Sequence, residues 1–393
     1  MNEAYVVSAV RTPVGKAYKG GLAQTRPDDL AAEAMRAAVD RVEGLNPEML
    51  EDIVLGCAMP EGEQGMNVAR IAQMRAGFPE SIPAITINRF CSSGLQAIAS
   101  CADRIRSGAA DCMMAGGTES MSMIPMGGNK IAPNPYLVDH YPEVYINMGL
   151  TAEKVAEKWN VSREDQDAFA LLSHQRAIKA QETGAFDQEL IPITVKQVRA
   201  GKGFKTEEHS FQVNRDEGPR ADTSIPALAK LGPAFKMNGT VTAGNASQMS
   251  DGAAAAVIMS DSMVKKLGIK PLARFVGYAT AGCRPEVMGI GPALAIPKLV
   301  EKTGISLDQI GLFELNEAFA AQSLMVIREL GLDPEKVNVN GGAIALGHPL
   351  GCTGAKLTAS LIYEMKRRGT QYGVVTMCVG GGMGAAGLFE LMN

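Results

Sequence analysis

Residues 88–117 have the sequence NRFCSSGLQAIASCADRIRSGAADCMMAGG, and this stretch decides the fold class. A turn of small residues leads into a helical pattern over Ser93–Arg106, and after Gly108 the apolar run Asp111–Gly116 predicts a buried strand. Residues 338–382 repeat the order of turn, helix, glycine, apolar strand and glycine pair, although few residues are identical. The repeat predicts an internal duplication, in which two α/β halves pack back to back and place equivalent strand ends on one face.

Apolar runs of strand length alternate with helical patterns outward from this stretch. Helices between strands are typical of crossover connections, so we expect an α/β fold whose sheets are mostly parallel and buried. The other predicted strands are Ala4–Val10, Asp52–Cys57, Ala84–Asn88, Leu272–Tyr278, Ile310–Asn316, Val337–Asn340 and Val374–Cys378. The other predicted helices are Leu30–Val42, Val68–Ala76, Ala293–Thr303, Ala318–Leu330 and Gly354–Arg367.

The middle of the chain differs in composition. Residues 121–240 are richer in Pro, Asn and charge, and their hydrophobic period is irregular. We interpret residues 121–247 as an inserted loop or lid domain that carries substrate contacts. Two helical patterns lie within it, Thr151–Trp159 and Arg163–Glu182, and Ser162 is the expected N-cap of the second. The N-terminal half then covers residues 1–120 and 248–268, and the C-terminal half covers residues 269–393.

Composition excludes several classes of protein. The 393 residues carry a net charge of −4 and show no basic cluster, which argues against a nucleic acid partner. The seven cysteines are widely spaced and form no CxxC pair, so we expect neither a disulfide framework nor a metal site. The N-terminus enters a strand pattern without a signal peptide, and no long apolar run follows, so we expect a cytoplasmic protein with no membrane span.

Cys91 lies between a predicted strand end and the start of the helix Ser93–Arg106. Unpaired N–H groups and the positive end of a helix favour a thiolate, so this position predicts a lowered thiol pKa and a nucleophile on a strand-to-helix turn. The alternative is that Cys91 is a small apolar core residue, as most free cysteines are. Cys57, Cys101 and Cys112 lie inside strand or helix patterns, where that alternative is preferred.

His348 lies in a glycine-rich loop, GGAIALGHPLG at residues 341–351, just before a predicted helix. Histidine is the side chain best suited to proton transfer near neutral pH, and a glycine-rich loop leaves it accessible to a ligand. The sequence therefore predicts a general base, with a hydrogen-bonded loop histidine as the alternative. The other three histidines, His140, His174 and His209, lie in polar or helical surroundings.

Two further polar positions follow predicted strands. Cys378 ends one strand and opens a run of glycines, whose backbone N–H groups can approach a developing oxyanion. The run lacks the Lys-Ser/Thr of a P-loop, so a phosphate-cradling loop is set aside. Asn316 follows another strand and could fix a water, with a helix N-cap as the alternative. Because α/β folds place their sites at the carboxyl ends of strands, we expect Cys91, His348, Cys378 and Asn316 to converge.

The segments quoted above resemble the thiolase family from the first strand to the last residues. The motifs that carry the resemblance are CSSGL at 91–95, MGLTAE at 148–153, GTVTAGNAS at 239–247, NEAF at 316–319, GGAIALGHPLG at 341–351 and CVGGGMG at 378–384. Together they are highly specific. The resemblance implies a thiolase-like α/β fold of two duplicated halves with an inserted loop domain.

The resemblance implies a covalent ping-pong reaction on 3-ketoacyl-CoA. Cys91, assisted by His348, attacks the 3-keto carbon, and Cys378 protonates the released enolate of acetyl-CoA. His348 then deprotonates incoming CoA, which takes the acyl group from Cys91, and the reverse reaction is a Claisen condensation. One oxyanion hole combines His348 with a water held by Asn316, and the other uses the backbone N–H groups of Cys91 and Gly380.

The resemblance also implies residues that bind substrate. The expected CoA contacts are Arg220, Ser247, Leu231, Phe235 and Ala243. The expected lining of the acyl pocket is Met148, Met288 and Phe319. No cofactor is expected, since CoA and acyl-CoA are substrates. We expect a homodimer or homotetramer, and a partner subunit of a β-oxidation complex is left open.

The subfamily follows from details of the motifs. CSSGLQ at 91–96, DEGPR at 216–220 and SQMSD at 247–251 are more similar to degradative 3-ketoacyl-CoA thiolases. Biosynthetic acetoacetyl-CoA thiolases usually have CGSG at the first turn and a His in place of Asn147. We therefore expect thiolytic cleavage, with a biosynthetic acetoacetyl-CoA thiolase as the first alternative. A ketoacyl synthase, which pairs its Cys with two His or with His and Asn, and a non-catalytic acyl-CoA or lipid carrier are the others.

Overall fold

The computed structural model describes residues 2–200 and 206–392. The strands are β1 (Ala4–Arg11), β2 (Gly15–Lys16), β3 (Asp52–Gly56), β4 (Ala84–Ile87), β5 (Cys112–Ser120), β6 (Ile193–Ala200), β7 (Thr206–Val213), β8 (Ser250–Ser260), β9 (Ala273–Gly282), β10 (Ile310–Leu315), β11 (Tyr372–Val379) and β12 (Met383–Leu391). The helices are α1 (Pro27–Asp40), α2 (Val68–Arg75), α3 (Ser93–Arg106), α4 (Pro135–His140), α5 (Met148–Lys158), α6 (Arg163–Glu182), α7 (Ile225–Ala229), α8 (Asp261–Leu267), α9 (Gly291–Thr303), α10 (Ala320–Leu330), α11 (Ala343–Leu346) and α12 (Leu350–Arg368).

Ten of the strands form one sheet, in the order β10-β11-β12-β9-β1-β8-β5-β3-β4 with β2 beside β8. Only β10–β11, β3–β5 and β3–β4 pair in parallel, and the other pairings in this sheet are antiparallel. The prediction of a mostly parallel sheet is therefore wrong. The physical reason is that β12 follows β11 through the short turn 380–382, which gives an antiparallel neighbour, and that β8 runs back beside β5 after the long inserted segment.

The order of strands shows the duplication directly. The order β9-β12-β11-β10 in the C-terminal half repeats β1-β8-β5-β3 in the N-terminal half. Val337 forms a single parallel bridge to Phe313 where β4 pairs with β3 in the other half, so the predicted strand Val337–Asn340 is reduced to one residue. The two halves join through β1 and β9, which share only the pairs Tyr5–Arg274 and Val6–Ala273.

The core has three large apolar clusters, one under the outer helices of each half and one around the central helices. The outer helices α1 and α2 cover one face of the N-terminal half of the sheet, and α9 and α10 cover one face of the C-terminal half. Between the two halves lie α3 and α12, whose apolar residues pack with side chains from strands of both. Because α12 is enclosed on all sides, every residue from Leu350 to Met365 is buried.

Two glycines let α3 and α12 touch through their backbones near their N-terminal ends. A Cβ at Gly94 would lie 2.7 Å from the backbone nitrogen of Ala355, and one at Gly354 would lie 2.2 Å from that of Leu95. Such distances leave no room for a side chain. The crossing therefore fixes the N-terminal ends of both helices side by side, and Cys91 packs in one apolar cluster with Leu350 in the first turn of α12.

The inserted segment contains more regular structure than its sequence predicted. Helix α6 begins at Arg163 as predicted, and Ser162 accepts a hydrogen bond from the backbone N–H of Asp165 at 3.1 Å. The hairpin of β6 and β7 was not predicted, because its strands carry polar side chains on one face. The domain limits at residues 120, 247 and 268 stay predictions. No helix in the described ranges is long and apolar enough to cross a membrane.

Candidate active site

Cys91 lies on a tight turn between β4 and α3. Phe90 adopts a positive φ of 43°, an uncommon conformation for a bulky residue that indicates backbone strain at this point. Ser93 supports the turn, since its hydroxyl accepts a hydrogen bond from the N–H of Arg89 at 2.8 Å and donates one to the carbonyl of Phe90 at 2.7 Å. The thiol of Cys91 is thereby held in place at the start of the helix.

The electrostatic environment of Cys91 differs from the expectation. Burial raises the pKa of the Cys91 thiol to about 11, although hydrogen bonds from the backbone N–H groups of Gly380 and of Cys91 itself lower it in part. The prediction of a lowered thiol pKa is therefore wrong. The N–H donors that the helix start was expected to provide are present, but the desolvation of a buried thiolate outweighs them. The same N–H groups are the predicted oxyanion donors.

His348 is oriented through both ring nitrogens. Nδ1 lies 2.6 Å from the hydroxyl of Thr353, and that hydroxyl donates to the carbonyl of Pro349 at 3.2 Å. Since the hydroxyl proton is already committed, the oxygen accepts from Nδ1–H, and the lone pair of the neutral ring is on Nε2. Nε2 lies 3.3 Å from the amide nitrogen of Asn316. His348 thus presents a base toward the interior of the site.

His348 is buried and stays neutral. Burial lowers the pKa of its imidazole to about 3, and the positive charge of Lys356 on α12 lowers it further. Its backbone N–H donates to the carbonyl of Gln248 at 3.3 Å and to the hydroxyl of Ser250 at 3.2 Å. The loop histidine is therefore fixed in its backbone as well as in its ring.

Asn316 directly follows β10, and its backbone N–H donates to the carbonyl of Thr376 on β11 at 2.9 Å. Helix α10 begins at Ala320 and its N-cap is Phe319, so the alternative role of Asn316 as a helix cap is excluded. The side-chain oxygen of Asn316 is buried and has no hydrogen-bond partner among the residues that the structure describes. A buried amide oxygen without a partner is costly in a folded protein and marks a site that a ligand or water satisfies.

Cys378 lies near the end of β11 and is fully buried. Burial raises the pKa of its thiol well above the usual value, and the neighbouring Cys91 raises it further. The two thiols therefore share one environment. Cys378 packs in a single apolar cluster with Met148, Met288 and Phe319, the three residues predicted to line an acyl pocket.

Glu317 anchors the histidine loop through hydrogen bonds, a role that the sequence did not predict. Its buried carboxylate accepts hydrogen bonds from the hydroxyl of Ser173 at 2.7 Å and from the amide of Asn338 at 2.8 Å. It also accepts one from the backbone N–H of Ile344, in the loop that leads to His348, at 3.2 Å. The feature of the sequence that could have indicated this role is the position of Glu317 within the motif NEAF at 316–319.

A second buried carboxylate, that of Glu119, joins the two halves beside Cys91. It accepts hydrogen bonds from the backbone N–H groups of Ala58 and Gly351 at 2.8 Å and of Met59 at 3.1 Å. Gly351 belongs to the first turn of α12, and a carboxylate is stabilised at the N-terminus of a helix. No sequence pattern pointed to Glu119, because its three donors come from segments far apart in the chain.

A cavity of about 390 Å³ opens beside the histidine loop. Its lining includes Arg220, Leu231 and Ala243, three of the five predicted CoA contacts. The other two lie elsewhere. Phe235 packs edge-on against Phe319 with ring centroids 6.0 Å apart, and Ser247 lies outside the lining, its backbone N–H donating to the carbonyl of Ala318. Phe235 and Ser247 therefore lie outside the lining of this cavity, and their role as CoA contacts stays a prediction.

Lys16 and His174 are basic members of the cavity lining that the sequence did not predict. His174 lies on α6, which has a polar sequence, and Lys16 comes from the first residues of the chain. The full lining is Lys16, His174, Arg220, Asp222, Thr223, Ala227, Leu228, Leu231, Ala243, Gly244, Gln248 and Ile344. Within the described ranges, no group of three His, Cys, Asp or Glu side chains could hold a metal ion.

Two models of a known protein family match most of the chain. The N-terminal domain model of thiolase matches residues 4–262, and the C-terminal domain model matches residues 269–391. The chain belongs to the thiolase family. The thiolase-like fold expected from the sequence motifs is thereby confirmed.

Thiolase relatives match along the whole chain. It is 56% identical over 391 residues to a 3-ketoacyl-CoA thiolase of Bacillus subtilis, with 100% of both chains covered. It is 47% identical to a human peroxisomal 3-ketoacyl-CoA thiolase, and the match covers 99% of this chain and 91% of the relative. Two solved thiolase-fold structures have a TM-score of 0.89 and cover 100% of this chain and 99% of theirs. They are Bacillus anthracis acetyl-CoA acetyltransferase, at 43% identity, and human mitochondrial 3-ketoacyl-CoA thiolase, at 41%.

Proposed function

We propose that this protein cleaves 3-ketoacyl-CoA with CoA, giving acetyl-CoA and an acyl-CoA shortened by two carbons. The observations that support the proposal are two buried pairs, His348 with Asn316 at 3.3 Å and Cys91 with Cys378, and the N–H of Gly380 on the Cys91 sulfur. A nucleophile, a neutral base and a second thiol are the groups that a reversible Claisen reaction needs.

The first half-reaction forms an acyl-enzyme. The sulfur of Cys91 bonds to the 3-keto carbon while its proton passes to Nε2 of His348, and the developing alkoxide is stabilised by hydrogen-bond donors of the site. The C2–C3 bond then breaks, and the electron pair leaves on the enolate of acetyl-CoA. Cys378 gives its proton to the C2 carbon. The proton that His348 took from Cys91 returns to the Cys378 thiolate, so that both carriers regain their starting state.

The second half-reaction transfers the acyl group to CoA. His348 takes the thiol proton of CoA, and the new thiolate attacks the thioester carbon on Cys91. The N–H groups of Cys91 and Gly380 are aimed at the sulfur and stabilise the oxyanion that develops on the adjoining carbonyl. The collapse of this intermediate breaks the bond to the Cys91 sulfur, which recovers its proton from His348. Run backwards, the same steps condense two acyl groups.

The direction and the acyl group are part of the proposal. Met148, Met288 and Phe319 pack against Cys378 and form an apolar wall that suits an alkyl chain. Together with CSSGL at 91–95 and Asn147 in place of a histidine, this favours thiolysis in fatty acid β-oxidation over biosynthesis of acetoacetyl-CoA. Asn147 caps α5 by accepting from the N–H of Gly149 at 2.8 Å, a role that needs no proton transfer.

We also propose that the protein is a cytoplasmic homo-oligomer. The edge strand β4 ends the large sheet, and its Ile85 is 49% exposed. Met66, which is 95% exposed, and Met74 add to an apolar surface beside it. An unpaired edge with apolar side chains is unfavourable in water unless another chain covers it.

Arg220, Leu231 and Ala243 stay proposed CoA contacts, as do Ser247 and Phe235 outside the cavity. A partner subunit of a β-oxidation complex is left open.

The proposed activity is tested by product analysis across chain lengths. Purified protein is mixed with CoA and 3-ketoacyl-CoA substrates of four to sixteen carbons, and the products are separated by chromatography. The proposal requires acetyl-CoA and the shortened acyl-CoA in equal amounts, with turnover on chains longer than four carbons. Turnover of acetoacetyl-CoA alone would favour the biosynthetic alternative. Tight binding of acyl-CoA without any cleavage would favour a carrier.

A further inference from the structure

The charges of the cavity beside the histidine loop are unevenly paired. Three of its lining residues are charged, namely Lys16, Arg220 and Asp222. The guanidinium of Arg220 forms an ion pair with the carboxylate of Asp222 at 3.3 Å, and both side chains are more than half exposed. Lys16 has no carboxylate within ion-pair distance among the described residues. The cation whose charge is not already compensated is therefore Lys16.

The backbone of Lys16 is fixed at several points. Strand β2 pairs Lys16 with Ser250 on β8. The hydroxyl of Ser250 accepts a hydrogen bond from the backbone N–H of His348. The N–H of Lys16 donates to the carboxylate of Glu217 at 3.0 Å, and its carbonyl accepts from the N–H of Gly20 at 2.8 Å. The fixed backbone places the side chain of Lys16 in the lining of the cavity.

Glu217 lies beside Lys16 but forms no ion pair with its ammonium group among the described residues. Glu217 is the acidic residue that approaches Lys16 through its backbone, but its two oxygens are occupied by the N–H groups of Lys16 and Gly21, at 3.0 and 2.8 Å. Asp222 is directed to Arg220. The ammonium group of Lys16 therefore faces the cavity as a positive centre, and an anionic ligand group is what complements it.

His174 adds a neutral donor to the same wall. Its Nδ1 accepts a hydrogen bond from the backbone N–H of Arg220 at 3.2 Å, which places the ring proton on Nε2. Burial lowers the pKa of His174 to about 4, and the charges of Arg220 and Lys16 lower it further. The charge of Lys16 thus reaches the interior of the cavity, and His174 is uncharged at neutral pH.

The remaining wall is apolar. Leu228, Leu231, Ala243 and Ile344 contribute apolar side chains to the lining, and Ile344 belongs to the histidine loop. A ligand that suits the whole cavity combines an anionic group with an uncharged chain. A phosphate group joined to a pantetheine chain has this shape and charge.

We propose that Lys16 binds a phosphate group of CoA and contributes more to that binding than Arg220 does. This inference rests on the proposed function in identifying the ligand as CoA. It adds a residue from the N-terminal strand region to the CoA site and assigns the larger electrostatic contribution to the cation that has no counter-ion. Lysine binds phosphate well because its ammonium group is a compact charge that needs no fixed geometry.

The test combines residue changes with truncation of the ligand. Lys16→Gln removes the charge and keeps most of the length of the side chain. KM is measured for CoA and for pantetheine, which has the same thiol arm and no phosphate. We expect KM for CoA to rise about tenfold with kcat nearly unchanged, as for loss of one charge-assisted contact that is equal in ground and transition states. KM for pantetheine should not change.

Three control variants accompany it. Lys19→Gln removes an exposed charge three residues away that does not line the cavity, and it should leave both KM values unchanged. Lys16→Arg keeps the charge and should keep KM for CoA within about threefold of the parent value. Arg220→Gln should raise KM for CoA less than Lys16→Gln does, because Asp222 already compensates its charge.

Two results would overturn the inference. One is an unchanged KM for CoA in Lys16→Gln, and the other is an equal rise in KM for CoA and pantetheine, which would mean a general distortion of the site. The inference can be tested even if the proposed activity is absent. Should the parent protein show no thiolysis, calorimetric Kd values for CoA and pantetheine in the parent and in Lys16→Gln decide the inference by the same comparison.

Discussion

Cys91 and His348 are both uncharged in the free protein because both are buried. The pKa of the thiol is raised to about 11, and the pKa of the imidazole is lowered to about 3. A thiolate–imidazolium pair is therefore not formed in advance. The proton leaves Cys91 as the carbonyl is attacked, when the negative charge moves from sulfur to an oxygen that the site can stabilise.

A pH series of alkylation tests this state of Cys91. Because only the thiolate reacts, we expect the rate at which iodoacetamide modifies Cys91 to rise about tenfold per pH unit between pH 7 and pH 9. Peptide mass spectrometry separates Cys91 from the half-buried Cys283, whose raised pKa makes it an internal comparison. A rate that is flat from pH 6 to pH 8 would show a preformed thiolate and contradict the account.

Thr353 is a positioning residue for His348. Thr353→Val keeps the shape of the side chain but removes the acceptor for Nδ1–H, and leaving a buried donor unpaired costs about 1–3 kcal/mol. We expect kcat to fall about tenfold or more with KM for CoA nearly unchanged. Thr353→Ser keeps the hydroxyl and should retain most of the rate. Equal losses in the two variants would point to packing of the methyl group instead.

Cys378 has a different task from Cys91, and Cys378→Ser separates the two. A serine hydroxyl is a much weaker acid than a thiol, so the variant should lose exchange of the α-protons of acetyl-CoA with solvent deuterium. It should still accept an acyl group on Cys91, because that step needs only Cys91 and His348. NMR follows the exchange and peptide mass follows acylation. Retained exchange with lost acylation would require the two roles to be swapped.

At the scale of elements, the contact of α3 with α12 decides where Cys91 and His348 lie. Gly94→Ala adds a Cβ that would lie 2.7 Å from the backbone nitrogen of Ala355, and the helices must separate to admit it. We expect unfolding in urea to show a loss of about 1–3 kcal/mol, together with a lower kcat. Gly282→Ala, whose Cβ meets nothing within 4 Å, is the matched control and should change neither. An unaltered Gly94→Ala variant would show that the contact is not tight.

Sequence patterns predicted the elements better than their directions. The helices Ser93–Arg106 and Arg163–Glu182 begin and end where their spacing placed them. The period of a strand carries no information on whether its neighbour runs parallel, so the antiparallel returns of β8 and β12 were missed. Val337–Asn340 has an apolar alternation typical of a strand, but it lies at a sheet edge where only Val337 pairs.

At the scale of the whole molecule, the proposed catalytic residues were predictable because each lies in a recurring motif near a strand end or a helix start. The residues that surround them were not. Lys16 comes from the first strands, His174 from the inserted segment and Glu119 from the end of β5, and each gains its position only through contacts between distant parts of the chain. The thiol pKa of Cys91 was mispredicted for the same reason, since its burial is a property of the assembled halves.

The most direct test of the central claim is the site of acylation. The protein is incubated with acetyl-CoA, quenched in acid and digested, and the mass of each cysteine peptide is measured. The account predicts an acetyl group on the peptide that contains Cys91, its absence in Cys91→Ala and its retention in Cys378→Ser. An acetyl group found only on Cys378 or on another cysteine, or no acetyl group in a protein that cleaves 3-ketoacyl-CoA, would contradict it.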